Sequence, residues 1–471
     1  MNISNFFCKK LYLSSCLVCI IGFNSCAEKS IDNMALSGTW LISIFTSDVG
    51  KVQTIMQFDV TEEKSAGKYA FQAYTEKNTD SKILGFWKAH AGRLIGSNFK
   101  HGSLMRITSG VLTNNDSLSG VLVTPFGNYY VNGTIKNDTL NGLLSNGKHE
   151  TIGKIEGSKG LPKLPIHNYN AILDSVISIT HNKLYDPSLM HAEGWTNFIN
   201  EMKRVADFSQ DDAAFIMAFF YYDHKFLPFS HYALYHPLDE QDKKVIPVEK
   251  FVELDEKNQK TVCMKISSFS GTAAEMDSAF SVISAKGYDH LIIDLRNDPG
   301  GSVEAGMAFA RHLVKDTLYG GVFLTGKYFA HHTELPAPKT YDHFLHFTEA
   351  NYDLLISGIS QYDGICLVVI PRQPVFRGKI DILINGQTAS TCEPIIYALK
   401  RYHLARLVGE RSAGAMLNGE FFPVMDGYKL FLPTATYYTA DGYKIDKNGV
   451  EPDVKVKSDE ALDVVLQKSN K

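Results

Sequence analysis

The sequence predicts a multi-domain protein in three parts: an N-terminal all-β barrel or sandwich over residues 36–157, a small helical subdomain over 167–240, and an α/β core over 241–460. Three patterns predict it. Residues 36–157 run in short apolar alternations broken by turn signals every ten residues or so, the period of half-buried strands. Residues 168–225 carry helical stripes, Ile172, Val176 and Ile179 on one and Ala213, Ile216, Met217 and Phe220 on another. From about residue 245 strands alternate with helices, which argues for a mostly parallel sheet with both faces covered.

A chain of 471 residues is too long for one core, and 44% hydrophobic with 21% charged residues describes an ordinary globular protein. The net charge is −4 with no basic block, so nucleic acid is not an expected partner. The start is a targeting segment. Lys9-Lys10 precede an apolar run over 11–23, too short for a comfortable membrane span, and Asn24-Ser25-Cys26 follows. This resembles a bacterial lipoprotein signal over 1–25, with Cys26 as the acylated first residue and 26–35 as a tether. It implies a lipid-anchored protein of the cell envelope, at the outer membrane on its periplasmic or surface side. Loss of Lys9 and Lys10 takes the net charge from −4 to −6. Four of the seven cysteines, Cys8, Cys16, Cys19 and Cys26, belong to this region. Cys263 and Cys366 lie in strand-like runs and read as small core residues, Cys392 remains, and neither a disulfide framework nor zinc spacing emerges.

Within the β-module, the run 115–120 echoes 137–142, and both read as hairpin turns. The opening Gly38-Thr39-Trp40 resembles the Gly-x-Trp start of lipocalin-like barrels. A packed spacer and a module that holds glycan or lipid both remain open. Residues 158–166 are a Gly/Pro/Lys linker. The helices that follow end near Pro228-Phe229-Ser230-His231. In the core, strands are expected at Thr261–Ile266, 290–295, 365–370, 380–384, 405–409 and 428–432, with helices at Ala273–Lys286 and 303–314 and a tail at 461–471. Residues 327–362, rich in His, Tyr, Pro and Thr, read as an insertion or lid. His331-His332 and His343-x-x-His346 lack a fixed Cys or carboxylate partner, so they read as solvated histidines and no metal is expected.

Two segments carry chemistry. Asn385-Gly386-Gln387-Thr388-Ala389-Ser390-Thr391-Cys392-Glu393 joins a buried strand to a helix with Pro394 in its first turn, and puts Ser390 on a strand-to-helix turn beside helix N–H groups. Ser390 or Thr391 could equally cap the helix. Asp294-Leu295-Arg296-Asn297-Asp298-Pro299-Gly300-Gly301 ends a strand in a Gly-Gly turn, a recipe for exposed backbone N–H groups and an oxyanion hole. Gly-Lys-Ser/Thr is absent from it, so it is not a phosphate loop.

Together with Leu407-Val408-Gly409-Glu410-Arg411-Ser412-Ala413-Gly414 and the stretch from Thr434 through Gly449-Val450-Glu451-Pro452-Asp453, these segments resemble, in the same order, the tail-specific (C-terminal processing) serine peptidases. The resemblance covers roughly residues 165–460. It implies a ClpP/crotonase-like α/β peptidase core, Ser390 as nucleophile, an oxyanion hole from the backbone of Gly300, Gly301 and Thr391, and no cofactor. One departure matters. Typical bacterial members carry a lysine base shortly after Gly-Glu; here Ala415 stands there, and no Lys occurs between positions 411 and 426. A serine hydroxyl needs a base within reach.

A tricorn-like branch of the family lacks that lysine and uses a Ser-His pair with a late carboxylate. By this resemblance His231 is the base, Ser230 its orienting partner, and Asp446 the carboxylate, where relatives usually show Glu. A Ser-His pair is also a common surface turn, and Asp446 also suits a turn before Asn448-Gly449. Glu393, Glu410 and Glu451 are alternative acids that capping or solvation also explains. The gap over 232–260 is too short for a PDZ-like insertion, which leans towards the tricorn-like or retinoid-binding-protein-like branch. The expected function is a cell-envelope serine endopeptidase or oligopeptidase acting on peptides or unfolded protein through an acyl-enzyme on Ser390. The alternative is an inactive peptidase fold that binds peptides or an apolar ligand.

Overall fold

The computed structural model describes residues 35–469 except 48, 76–103, 115, 125–126, 148 and 244–249. Cys26 and its signal segment lie outside the described residues. No helix among the described residues is long and apolar enough to cross a membrane.

The first module is a closed barrel. Its strands β1 (Gly38–Thr46), β2 (Gly50–Ser65), β3 (Lys68–Thr75), β4 (Arg106–Thr113), β5 (Ser117–Thr124), β6 (Gly127–Lys136), β7 (Thr139–Ser145) and β8 (Thr151–Lys159) pair antiparallel in chain order, and β8 returns to β1. Closure leaves no edge strand. It also draws Ser158 and Lys159, read as the start of a linker, into register with Leu41 and Trp40. The β6–β7 hairpin turns on Asn137 and Asp138, both at positive φ, the type I′ geometry that matches strand twist. Trp40, Phe58, Phe71, Leu112, Leu122, Leu140 and Ile155 are buried and belong to the core. Bulky apolar side chains therefore pack the described part of the barrel.

Three helices follow: α1 (Tyr169–Lys183), α2 (Glu193–Phe208) and α3 (Asp212–Phe226). A single apolar stripe was expected for α3. It is instead buried around most of its girth from Asp212 to Phe219, because it lies between the barrel, α2 and the strand β9 (Ala233–Tyr235). One apolar core runs from the barrel through these helices to Leu417, Tyr428, Leu430 and Leu432.

A buried pair of carboxylates locks the modules together. Asp211 Oδ2 accepts from Thr54 Oγ1 and Ile55 N at 3.0 Å each. Asp212 accepts from Gln53 N and from the hydroxyls of Tyr169 and Tyr428. One side chain thus ties β2, α1 and the approach to the core. Asp212→Ala would leave two buried hydroxyls and the part-buried Gln53 amide without their acceptor, and is expected to lower unfolding stability by about 2–4 kcal/mol, read as a lower thermal midpoint of the full-length protein.

The α/β core holds two sheets. The first runs β10 (Val252–Asn258), β11 (Thr261–Ile266), β12 (His290–Asp294), β16 (Lys379–Ile384), β17 (Arg406–Gly409) and β20 (Val454–Lys455), parallel throughout except for the β10 edge. The helices α4 (Ala273–Lys286), α5 (Val303–Arg311), α6 (Tyr352–Gln361), α7 (Cys392–Arg401) and α8 (Ala461–Ser469) accompany the two sheets. The segment read as a tail is therefore largely helix: Ala461 and Val465 of α8 are buried against Cys263, Ile292, Leu383 and Val408.

The second sheet corrects the expectation of one mainly parallel sheet. Its order is β14 (Leu345–Phe347), β15 (Gly364–Val369), β13 (Leu318–Thr325), β19 (Lys429–Thr439) and β18 (Leu417–Pro423), and all these pairings but β14–β15 are antiparallel. Residues 327–362, read as an insertion or lid, contribute β14 and α6 to this layer. Strand β9 pairs with β19, Leu234 opposite Leu430 and Ala233 opposite Phe431. That pairing stitches the exit of the helical subdomain onto the core.

Candidate active site

Ser390 sits between β16 and α7 with φ of 52°, a left-handed conformation that costs a non-glycine residue on the order of 1–2 kcal/mol. The surroundings enforce it. Ser390 N donates to Ala415 O at 3.0 Å and to Glu393 Oε2 at 3.2 Å, and Glu393 N donates back to Ser390 O at 2.8 Å.

Glu393, considered above only as an alternative acid, is the organiser of this turn. It is fully buried and also accepts from Ser412 Oγ (2.6 Å), Gly414 N (2.7 Å) and Ala415 N (2.8 Å). Burial pushes its carboxyl up to about 7 against these hydrogen bonds. Its sequence signal, a Glu three residues after a Ser at a helix start, is the one that also marks an ordinary capping box. Glu410 instead accepts from Ser458 N, and Glu451 pairs with Lys455.

The Gly-Gly turn packs directly on the serine. A Cβ at Gly300 (φ 90°) would lie 2.6 Å from Ser390 Cβ and 2.8 Å from Thr391 N, so only glycine fits. Thr391 Oγ1 donates to Gly301 O at 2.7 Å and ties the two segments. Three amides were expected to face an oxyanion. Gly301 N and Thr391 N donate to nothing among the described residues, whereas Gly300 N is engaged by Asp298 Oδ1 at 2.8 Å.

His231 comes from the segment between α3 and β9, held by the β9–β19 pairing. Its Nε2 lies 3.1 Å from Ser390 Oγ, and its Nδ1 lies 2.7 Å from Ser230 Oγ. Ser230 Oγ donates to Asp446 Oδ1 at 2.5 Å, Ser230 N reaches Asp446 Oδ2 at 3.3 Å, and Met416 N reaches Oδ1 at 3.3 Å. The four side chains separated by up to 216 positions therefore form one chain of contacts.

Proton positions follow from what each group can do. An ionised carboxylate only accepts, so Ser230 donates to Asp446 and its oxygen accepts from His231 Nδ1–H. Nε2 is then left with a free lone pair towards the Ser390 hydroxyl. Burial pushes Asp446 above the usual carboxylate range, opposed by Ser230 and by Lys444 and Lys447. Burial, with the nearby Lys447 cation adding to it, pushes His231 down to about 4. The imidazole is thus neutral at neutral pH, the state a base requires.

This gives a pH prediction. The neutral form of His231 is lost only as pH falls through about 4, so if His231 is the base of a hydrolytic site, that step in kcat/KM should lie below the ordinary histidine value of about 6.5. Lys447→Gln removes the cation and should move the step upward. A step unmoved by Lys447→Gln would contradict the assigned coupling.

Among the described residues no group of His, Cys, Asp and Glu side chains could hold a metal ion. Cys263, Cys366 and Cys392 are free and buried.

The family model described as "Peptidase family S41" matches residues 260–456. The match takes in Ser390, Asp446 and both glycines, and leaves Ser230, His231 and the barrel outside. The chain is 28% identical over 205 residues to the carboxyl-terminal-processing protease of Picosynechococcus sp., covering 43% of this chain and 40% of that one. It is 29% identical over 192 residues to the carboxyl-terminal-processing protease of Synechocystis sp., covering 40% and 36%. The chain thus spans less than half the length of these curated relatives. Among solved structures, a lipoprotein from Streptococcus agalactiae aligns with a TM-score of 0.44 at 17% identity, over 66% of this chain and 97% of that chain.

Proposed function

We propose that this protein is a cell-envelope serine peptidase that hydrolyses peptide bonds through an acyl-enzyme on Ser390, with His231 as general base. The carrying observation is the 3.1 Å contact from Ser390 Oγ to His231 Nε2, continued through Ser230 to Asp446.

The mechanism follows from the proton positions. Ser390 Oγ attacks the substrate carbonyl carbon while its proton passes to His231 Nε2. The carbonyl oxygen becomes an oxyanion received by the Gly301 and Thr391 amides. The imidazolium is steadied through Ser230 by the Asp446 carboxylate. It then returns the proton to the leaving amine as the C–N bond breaks, which leaves an ester on Ser390. Water, deprotonated by the same imidazole, cleaves the ester and restores the serine.

The substrate would be a peptide or an unfolded protein. An apolar pocket opens beside Thr391, lined by Met307, Leu318, Leu367, Val369, Ile395 and Leu399. Next to the nucleophile, it suits an apolar side chain at the residue whose carbonyl is attacked. In this reading Cys26 carries the lipid anchor, and the barrel stands between the membrane and the peptidase core. The inactive-binder alternative has less support, because Ser390 and His231 are in hydrogen-bond reach rather than apart. Loss of hydrolysis in Ser390→Ala tests the proposal.

A further inference from the structure

The proposed chemistry leaves one buried carboxyl beside the site unused. Asp298 is 0% exposed. Its Oδ1 accepts from Gly300 N at 2.8 Å, and its Oδ2 is buried with no hydrogen-bond partner. Its backbone holds the other side of the site: Ala389 N donates to Asp298 O at 3.0 Å, and Cys392 Sγ reaches the same oxygen at 3.7 Å. Asp298 therefore sits where the Gly-Gly turn meets the nucleophile turn, bonded to both.

A carboxylate with one amide donor and an orphaned oxygen is a poor resident of such a place; a neutral acid leaves one hydroxyl unpaired but buries no charge, which costs less. Burial pushes the group up to about 7, opposed by the Gly300 amide and Cys392. The titratable side chain that faces it is Cys392 of α7, itself pushed well above the usual thiol range by burial. Glu393, next on the helix, is turned to Ser412, Gly414 and Ala415. Arg296, on the same loop, is committed to Asp294 and Ser458 O. Among the described residues no cation is directed at Asp298 to hold its charge.

We propose that Asp298 is a positioning residue that works as a neutral carboxylic acid, fixing the Gly300 amide so that Gly301 N and Thr391 N stay open to the oxyanion, and that its ionisation switches the site off. The inference rests on the hydrolytic reading above. Ionisation would place a negative charge against the amide of Gly300, the neighbour of Gly301, where the transition state develops negative charge of its own. The resulting repulsion is worth about tenfold or more in rate at the effective dielectric of a partly buried site.

The test is the rate of fluorophosphonate labelling of the full-length protein from pH 5 to 9.5, since phosphonylation also loads the oxyanion hole and needs no known substrate. The wild type should slow about tenfold or more as pH rises through about 7. Asp298→Asn keeps an acceptor for Gly300 N and cannot ionise, so its rate should lack that fall and exceed the wild type at pH 9. Asp298→Ala, without the acceptor, should be slower throughout. Stability gives an independent reading. A carboxyl whose folded pKa is raised loses its stabilising effect as pH rises through that value. That loss builds between the free value of 3.8 and about 7, so Asp298→Asn should raise the thermal midpoint relative to wild type by more at pH 8.5 than at pH 5. A labelled wild type whose alkaline fall is shared by Asp298→Asn overturns this inference alone, as does an equal midpoint difference at both pH values. A wild type that is never labelled overturns the hydrolytic reading and this inference with it.

Discussion

Ser390→Ala is expected to abolish hydrolysis, with a loss approaching 10⁶-fold in kcat on the scale of serine enzymes stripped of their nucleophile. The fold should persist. The turn is held by backbone bonds from Ser390 N to Ala415 O and from Glu393 N to Ser390 O, and these survive the substitution. Only the 3.1 Å contact from Oγ to His231 disappears. The unfolding free energy should accordingly stay within about 1 kcal/mol of wild type. A sharper form of the prediction uses non-additivity. If Ser390 and His231 act as one unit, His231→Ala added to Ser390→Ala should cost nothing further. Independent, multiplicative losses would mean that the two residues serve different steps.

Asp446→Asn is the second large effect, and its cause is the direction of protons rather than the loss of a contact. The carboxylate accepts from Ser230 Oγ, Ser230 N and Met416 N, all donors. An amide offers one acceptor oxygen and one nitrogen that only donates. If its NH₂ faces Ser230 N, two donors oppose each other. If it faces Ser230 Oγ, that oxygen becomes the acceptor, and its hydrogen turns to His231 Nδ1. The imidazole then carries its proton on Nε2 and cannot take one from Ser390. Either outcome should lower kcat by about 10²–10⁴-fold. Ser230→Ala should fall in the same range, because it interrupts the same relay. A loss below about tenfold in Asp446→Asn would show that Ser230 orients His231 without the carboxylate.

Much of the architecture was legible because each module writes its own period. Alternation over 36–157 gave an all-β module, and helical stripes marked 168–225. Barrel closure was not legible, since it depends on Trp40–Thr46 meeting Gly153–Lys159 across more than a hundred residues. The second sheet was hidden for the same reason: the segments at 406–409 and 429–439 both read as strands, and only their long-range partners assign them to different sheets. At the site, Ser390 and the Gly-Gly turn could be read locally, because turn chemistry is local. The Ser230-His231 pair and Asp446 could not, and came from family resemblance alone. Their meeting depends on β9 pairing with β19. Glu393 looked like a capping residue, and Asp298 stood in the Gly-Gly turn segment without a role of its own. Their part became visible only once burial left them four donors in one case and a single donor in the other.

The central claim is that His231 activates Ser390. Its most direct measurement is the labelling of wild-type protein by a serine-reactive fluorophosphonate across pH 6 to 9, with the modified residue located by mass spectrometry. The account predicts one adduct, on the peptide containing Ser390, absent from Ser390→Ala and strongly slowed in His231→Ala. No labelling at any pH in that range, or an adduct on another serine, would contradict it.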